Sequence, residues 1–168
     1  ADRLIGMVQT RGGDPARPGL AHIGCVGKIT SFAETGDGRY LITLTGIARF
    51  ETGDELPVAT PYRQVRARFA AFETDLQPAD PLPDVDRKRF LGALARYLDQ
   101  RDLGVDWETA EQAPTDALVN SLAMGLPFDP EEKQALLEAP TLVERAGALI
   151  ALLEIDAAGG DDEPRSIQ

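Results

Sequence analysis

This 168-residue chain has one cysteine, one histidine and one tryptophan. With Cys25 alone, no disulfide can close within the chain, and a reducing cytoplasm is the expected location. Zinc sites ordinarily draw several Cys and His ligands, so Cys25 and His22 are too few to found one. Their expected roles are a small thiol inside a strand and a polar residue at a strand edge. Lysine is also scarce. Lys28, Lys88 and Lys133 all lie outside any Gly-x-x-x-x-Gly-Lys-Ser/Thr run, the loop that cradles nucleotide phosphates, so an ATPase is excluded. No Gly-x-Ser-x-Gly elbow surrounds Ser31, Ser121 or Ser166, which removes the usual support for a triad hydrolase built on His22. The expectation is therefore a protein that is not an enzyme and needs no metal or cofactor.

Long apolar runs are missing too. A membrane-crossing helix needs ~20 apolar residues, and the longest apolar stretch near the C-terminus, residues 146–153, is far shorter. No basic segment followed by an apolar one opens the chain, so no secretion signal is expected. Positive charge is in deficit: 17 Lys and Arg face 28 Asp and Glu, for a net charge of -11. The imbalance lies in the second half. Residues 1–80 carry 9 basic and 10 acidic side chains, whereas residues 81–168 carry 8 and 18. Nucleic-acid binding rests on neutralising phosphates with Lys and Arg, so this charge weighs against a nucleic-acid partner and against an anionic membrane surface.

What is present is enough to fold: 43% hydrophobic and 27% charged residues are ordinary for a globular domain. The first half reads as β. Residues 4–9 form a short apolar run, closed by the turn formers of residues 10–19. Residues 22–34 read as a strand in which Gly24 and Gly27 mark a bulge or a close backbone approach. Asp37-Gly38 supplies a hairpin turn, and residues 40–45 return with Tyr40, Ile42 and Leu44 on one face. Gly46 is expected to interrupt that strand before residues 48–51 resume it. Residues 62–72 alternate, with Val65, Ala67, Phe69 and Ala71 on one face and Gln64, Arg66 and Arg68 towards water. Strands joined by short turns predict an antiparallel, curved sheet or small barrel.

Residues 73–83, with three prolines and three acids, read as a linker, and the remainder as helix. Apolar spacing predicts helices near 84–101, where Asp84 stands as a candidate N-cap, and near 114–125. A short helix is expected from Asp106, with Trp107 as a core anchor between helices. Asp129-Pro130-Glu131-Glu132 and Thr141-Leu142-Val143-Glu144 each carry the residues of a helix start and together predict an αα-hairpin. The expected organisation is a β lobe over 1–75, a helical lobe over 84–156 and a flexible acidic tail over 157–168.

The succession Leu4-Ile-Gly-Met-Val-Gln9, Ile23-Gly-Cys-Val-Gly-Lys-Ile29, Asp37-Gly-Arg-Tyr-Leu-Ile-Thr-Leu-Thr-Gly46 and Arg49-Phe50 resembles the N-terminal substrate-recognition domain of Lon-type ATP-dependent proteases. In the second half, Leu118-Val-Asn-Ser-Leu-Ala-Met124, Leu126-Pro-Phe128 and Glu132-Lys-Gln-Ala-Leu-Leu-Glu138 are similar to the region that follows that domain's barrel. The resemblance spans residues 3–153. It implies an α+β fold, a PUA-like antiparallel β pseudo-barrel followed by a helical bundle. It also implies a non-catalytic module whose partners are unfolded or damaged polypeptides or protease components, as in the stand-alone Lon-domain proteins of bacteria. The family's opening strand of the Leu-Pro-Leu-Phe-Pro-Leu kind and its Glu-Pro-Arg-Tyr helix do not precede the matching residues here, which is expected to leave a sheet edge for a partner or a second copy of the chain to cover. Candidate polypeptide-binding residues are Met7, Phe32, Tyr40, Met124 and Phe128. PUA-like barrels also occur in RNA-binding proteins, so an RNA-binding or small-molecule-binding domain is the alternative.

Overall fold

The computed structural model describes residues 3–78 and 84–159. They form an α+β protein in which an antiparallel sheet is followed by helices. The chain divides into two compact units at Pro78.

The first unit is a four-stranded sheet in the order β1-β4-β5-β6 with a separate β2-β3 hairpin. The strands are β1 (Leu4–Met7), β2 (Thr10–Asp14), β3 (Arg17–Leu20), β4 (Ile23–Glu34), β5 (Tyr40–Glu55) and β6 (Val65–Arg68). Residues 10–20 are thus a hairpin and not merely a loop. Asp14 holds its turn by accepting a hydrogen bond from the Ala16 N–H at 2.9 Å. The hairpin forms through its backbone ladder, because the side chains of β2 are all exposed.

In β4, the two glycines flagged by sequence have distinct uses. A Cβ on Gly24 meets the Met7 carbonyl, a Phe50 ring carbon and a Val8 methyl, each at 2.8 Å, so only glycine lets these chains close up. Gly27 sits at a register shift against β5. That shift explains why Gly46 does not end β5. Gly27 pairs Gly46 while Val26 pairs Ala48, so Ile47 is the extra residue of a bulge and the ladder runs on.

The alternating run at 62–72 is strand only over β6. After Phe69 the chain turns into a 3-10 segment, Ala70–Leu76. This turn buries Phe72 at 6% exposure and brings Asp75 to Arg49. The Asp75 carboxylate accepts from the Arg49 backbone N–H at 2.9 Å, from Nε at 2.8 Å and from Nη2 at 2.7 Å. The guanidinium also lies 4.4 Å from the Phe72 ring centre. Burial of Phe72 and pairing of Arg49 outweigh the alternation that favoured a longer strand. Ala21, Ile23, Ala48 and Phe50 complete this small core.

The second unit contains α1 (Arg87–Gln100), α2 (Trp107–Gln112), α3 (Thr115–Gly125), α4 (Pro130–Glu138) and α5 (Leu142–Gly159). Asp86, not Asp84, caps α1, its carboxylate accepting from the Arg89 N–H at 2.9 Å. Both expected capping boxes are present. Asp129 and Glu132 exchange backbone hydrogen bonds at 3.0 and 2.9 Å, and Thr141 and Glu144 do so at 3.2 and 3.0 Å. Arg87 donates to the carbonyls of Ala110, Glu111 and Ala113, the orphan acceptors at the end of α2. Arg145 reaches the Leu136 carbonyl and Asn120 Oδ1, tying α5 to α4 and α3. Phe90, Leu94, Tyr97, Val119, Leu136, Leu149 and Leu153 are fully buried between these helices. Each such burial is worth ~1.5–3 kcal/mol before ordering costs. Trp107 is 37% exposed on α2 and is not the interior anchor expected of it. α5 continues through buried Ala157, and residues 160–168 of the expected tail lie outside the described residues, as do 79–83 of the expected linker.

Candidate functional site

The long β4-β5 hairpin outgrows its neighbours. β1 pairs β4 only from Cys25 to Lys28, after which the Ile29 N–H reaches the Arg3 carbonyl at 2.8 Å. β6 pairs β5 only from Glu51 onwards. Among the described residues, no strand lies beside residues 29–34 of β4 on the side away from β5, or beside residues 40–50 of β5 on the side away from β4. The outer half of the hairpin is a two-stranded ribbon with two open edges.

Its tip is set by local chemistry. The Thr35 N–H donates to the Arg39 carbonyl at 2.8 Å and the Gly38 N–H to the Thr35 carbonyl at 3.1 Å. Gly38 takes φ +79°, a conformation suited to glycine. Asp37 accepts from the Thr35 hydroxyl and from Arg39 Nε, at 2.8 Å for the latter. These bonds, that from Thr35 first, hold the Asp37 carboxyl below its ordinary range.

The ribbon's register places Phe32 opposite Ile42 and Glu34 opposite Tyr40. Side chains alternate across a strand, so Phe32, Tyr40 and Ile42 share one face and Leu41 lies on the other beside Ala33. The Phe32 and Tyr40 rings stack at 4.9 Å between centres with a 22° interplanar angle, yet remain 63% and 56% exposed. Leu41 is 67% exposed. A hollow of about 470 Å³ beside the turn is lined by Tyr40, Leu41, Thr35 and Arg39. Aromatic and aliphatic groups on both faces of an unsupported ribbon have no folding role comparable to that of the core. They form an exposed apolar patch.

Of the five residues picked from sequence, Phe32 and Tyr40 are brought together. Met7 is exposed, but it lies on β1 opposite Cys25, seven residues along β4 from Phe32 and so about 20 Å away. Met124 and Phe128 belong to the helical unit. Met124 is exposed at the end of α3, whereas Phe128 is 8% exposed and packs its ring 6.3 Å from that of Tyr97. Phe128 is therefore core, with no surface to offer a ligand. Leu41 and Ile42 were missed. The signal for them was available, since apolar residues at both parities of a hairpin arm cannot all face one core.

The chemistry-bearing residues are scattered. His22 Nε2 lies 3.8 Å from Glu51, exposed at the sheet. Cys25 is half-buried in β4, and Ser31 and Ser121 are exposed in different units. Among the described residues, no group of three His, Cys, Asp or Glu side chains is arranged to hold a metal ion, and no helix is long and apolar enough to cross a membrane.

Residues 1–154 match the family model of the ATP-dependent protease La (LON) substrate-binding domain. The chain belongs to the Lon substrate-binding domain family. That domain is a substrate-recognition module and is itself non-catalytic. Two solved structures share the fold. One is a Lon N-terminal domain protein from Xanthomonas campestris, 16% identical, with a TM-score of 0.53 over 89% of each chain. The other is the N-terminal domain of a Mycobacterium avium complex Lon protease, 14% identical, with a TM-score of 0.52 over 90% of this chain and 89% of that one. No curated relative matches the chain.

Proposed function

We propose that this Lon-family domain is a non-catalytic module that binds extended apolar segments of unfolded or damaged polypeptides, or of a protease partner, along the β4-β5 ribbon. The observation that carries this reading is the stacked yet exposed Phe32–Tyr40 pair, on a ribbon whose two edges carry no strand among the described residues. An open edge offers backbone hydrogen bonds to any extended chain, whatever its sequence. Exposed Phe32, Tyr40, Leu41 and Ile42 add apolar contact without a shaped pocket, which suits a recogniser of many clients. The same edge serves a second copy of the chain, so client binding and self-association compete. The setting is the cytoplasm, where such clients arise and where the lone Cys25 stays reduced.

The net charge of -11 disfavours the RNA-binding alternative. Fluorescence anisotropy with a labelled, permanently unfolded, alkylated model protein tests the reading. The double variant Phe32→Ser/Tyr40→Ser is expected to weaken binding at least tenfold, as removal of an aromatic anchor pair should. Equal affinity in the double variant, or client-independent peptidase turnover by the purified chain, overturns it.

A further inference from the structure

A second concavity in the β unit has a different character. It is an open cleft of about 300 Å³ between the β2-β3 hairpin and the β5-β6 edge, lined by Arg11, His22, Thr52, Glu55 and Arg63 among others. Whereas the ribbon is apolar, this cleft is polar and cationic within a strongly acidic chain.

Its charges do not cancel. Glu55 accepts a bidentate pair from Arg63, Nε to Oε1 and Nη2 to Oε2, each at 2.8 Å. Arg17 approaches the same carboxylate at 3.2 Å from outside the lining. Arg63 Nη1 also donates to the Pro18 carbonyl at 2.7 Å, which ties the hairpin to the sheet and fixes the guanidinium. A guanidinium has five N–H donors, and these contacts occupy three of them. The Arg11 backbone belongs to the β2-β3 ladder, and its guanidinium makes no hydrogen bond or ion pair with the described residues. Across the lining, two guanidiniums therefore face one carboxylate.

The wall of the cleft is tightly packed. The Thr52 hydroxyl, on the cleft wall, is shielded from solvent yet has no hydrogen-bond partner among the described residues. An unmet buried hydroxyl is costly. The fold around it is tight. A Cβ on neighbouring Gly53 meets the Arg66 carbonyl oxygen at 2.8 Å, so the backbone of β5 cannot easily shift to find Thr52 a partner.

We infer that this cleft is a binding site for a carboxylate group, with Arg11 as the main charged contact and the remaining Arg63 donors as the second. A planar carboxylate suits this cationic lining, because a guanidinium can meet it with two parallel N–H donors. The Glu55–Arg63 fork already shows the planar geometry these guanidiniums accept. The carboxylate comes from one of two sources: a free small carboxylic acid, or an acidic side chain on a bound polypeptide. The inference does not rest on the ribbon binding clients, because the two sites share no lining residue.

The test is an NMR titration of the intact ¹⁵N-labelled chain, following the Arg11 and Arg63 Nε–Hε signals and the Thr52 amide. The probes are succinate and the capped peptide Gly-Gly-Glu-Gly-Gly, with its Gln counterpart as the neutral control. The expected result is saturable shifts with at least one acidic probe, weakened about tenfold in Arg11→Gln and less in Arg11→Lys. Saturation by succinate alone assigns a free acid, and saturation by the peptide alone assigns a protein side chain. No saturation by either below about 10 mM overturns the inference. So do shifts unchanged in Arg11→Gln, or equal shifts from the Gln peptide. Arg11 is exposed, so its variants are expected to keep the fold, which the remaining amide spectrum reports directly.

Discussion

The two units solve the problem of apolar surface in opposite ways. Among the described residues, the seven largest fully buried side chains, from Tyr97 to Val119, all lie in the helical unit. Of the seventeen exposed large hydrophobic side chains, twelve lie in the β unit. The helices therefore hold together by apolar burial. The sheet holds together by its ladders, a small core and the Arg49–Asp75 pair, and leaves its remaining apolar groups on the surface. A substrate-recognition domain needs both behaviours. Folding consumes apolar surface, and apolar contact with a substrate requires that some be left over.

The largest effect that sharpens this contrast is expected at Asp75. Replacing it with alanine leaves the Arg49 guanidinium, whose side chain is only 7% exposed, without its carboxylate. Breaking a buried pair by removing one partner costs ~3–5 kcal/mol. The loss is expected in the β unit. Amide resonances of β4 and β5 should lose their dispersion at lower denaturant than in the native chain. Trp107, the single tryptophan, sits on α2 and reports the helical unit separately. If Trp107 fluorescence and the β amides shift together by the full amount, the units do not fold independently and the contrast weakens.

The converse is Leu149→Ala. Leu149 is fully buried on α5 within the helical core. Truncation removes transfer energy and leaves a cavity, costing ~2–5 kcal/mol. Here the Trp107 transition is expected to move to lower denaturant while the β4-β5 amides hold. A shift below ~1 kcal/mol would mean that the helical core is loosely packed and not the rigid part of the molecule.

These differences were unevenly legible in the sequence. The helical unit was readable because its signals are local. Asp129 with Glu132, and Thr141 with Glu144, announce helix starts within four residues, and the structure has a capping box at each. The β4-β5 turn was equally local, fixed by Asp37 and Gly38. The β2-β3 hairpin was not readable, because its strands carry glycine and exposed polar groups and so lack the alternation that marks a half-buried strand. The 3-10 turn at Ala70–Leu76 depends on Arg49, more than twenty residues away in sequence, and no local pattern encodes that contact. In the candidate site, Phe32 and Tyr40 were readable as aromatics flanking a turn. Phe128 was misjudged as available surface. It stands just before the Asp129 N-cap, a position where an apolar residue often turns back onto its own core.

The smallest effect concerns the cationic cleft and its pH dependence. Hydrogen bonds from Arg63, followed by the proximity of Arg17, hold the Glu55 carboxyl at about 2, against an ordinary value of 4.5. A depressed carboxylate favours the folded state wherever it is ionised there. Above 4.5 both folded and unfolded chains carry the charge, and the contribution is fully present. As the pH falls through 4.5 the unfolded chain binds its proton first, so stability declines, and the contribution is gone once the folded carboxyl also protonates near 2. Arg17 is 70% exposed, and solvent and salt screen such a pair, so the decline is expected to be shallow. Comparing the native chain with Glu55→Gln by urea unfolding of the β amides at pH 6, 4 and 3 isolates it. The gap between the two is expected to be widest at pH 6 and to close towards pH 3. A gap that stays the same at all three pH values means that Glu55 is not held by the arginines in solution. The cleft would then carry more free positive charge than its geometry shows.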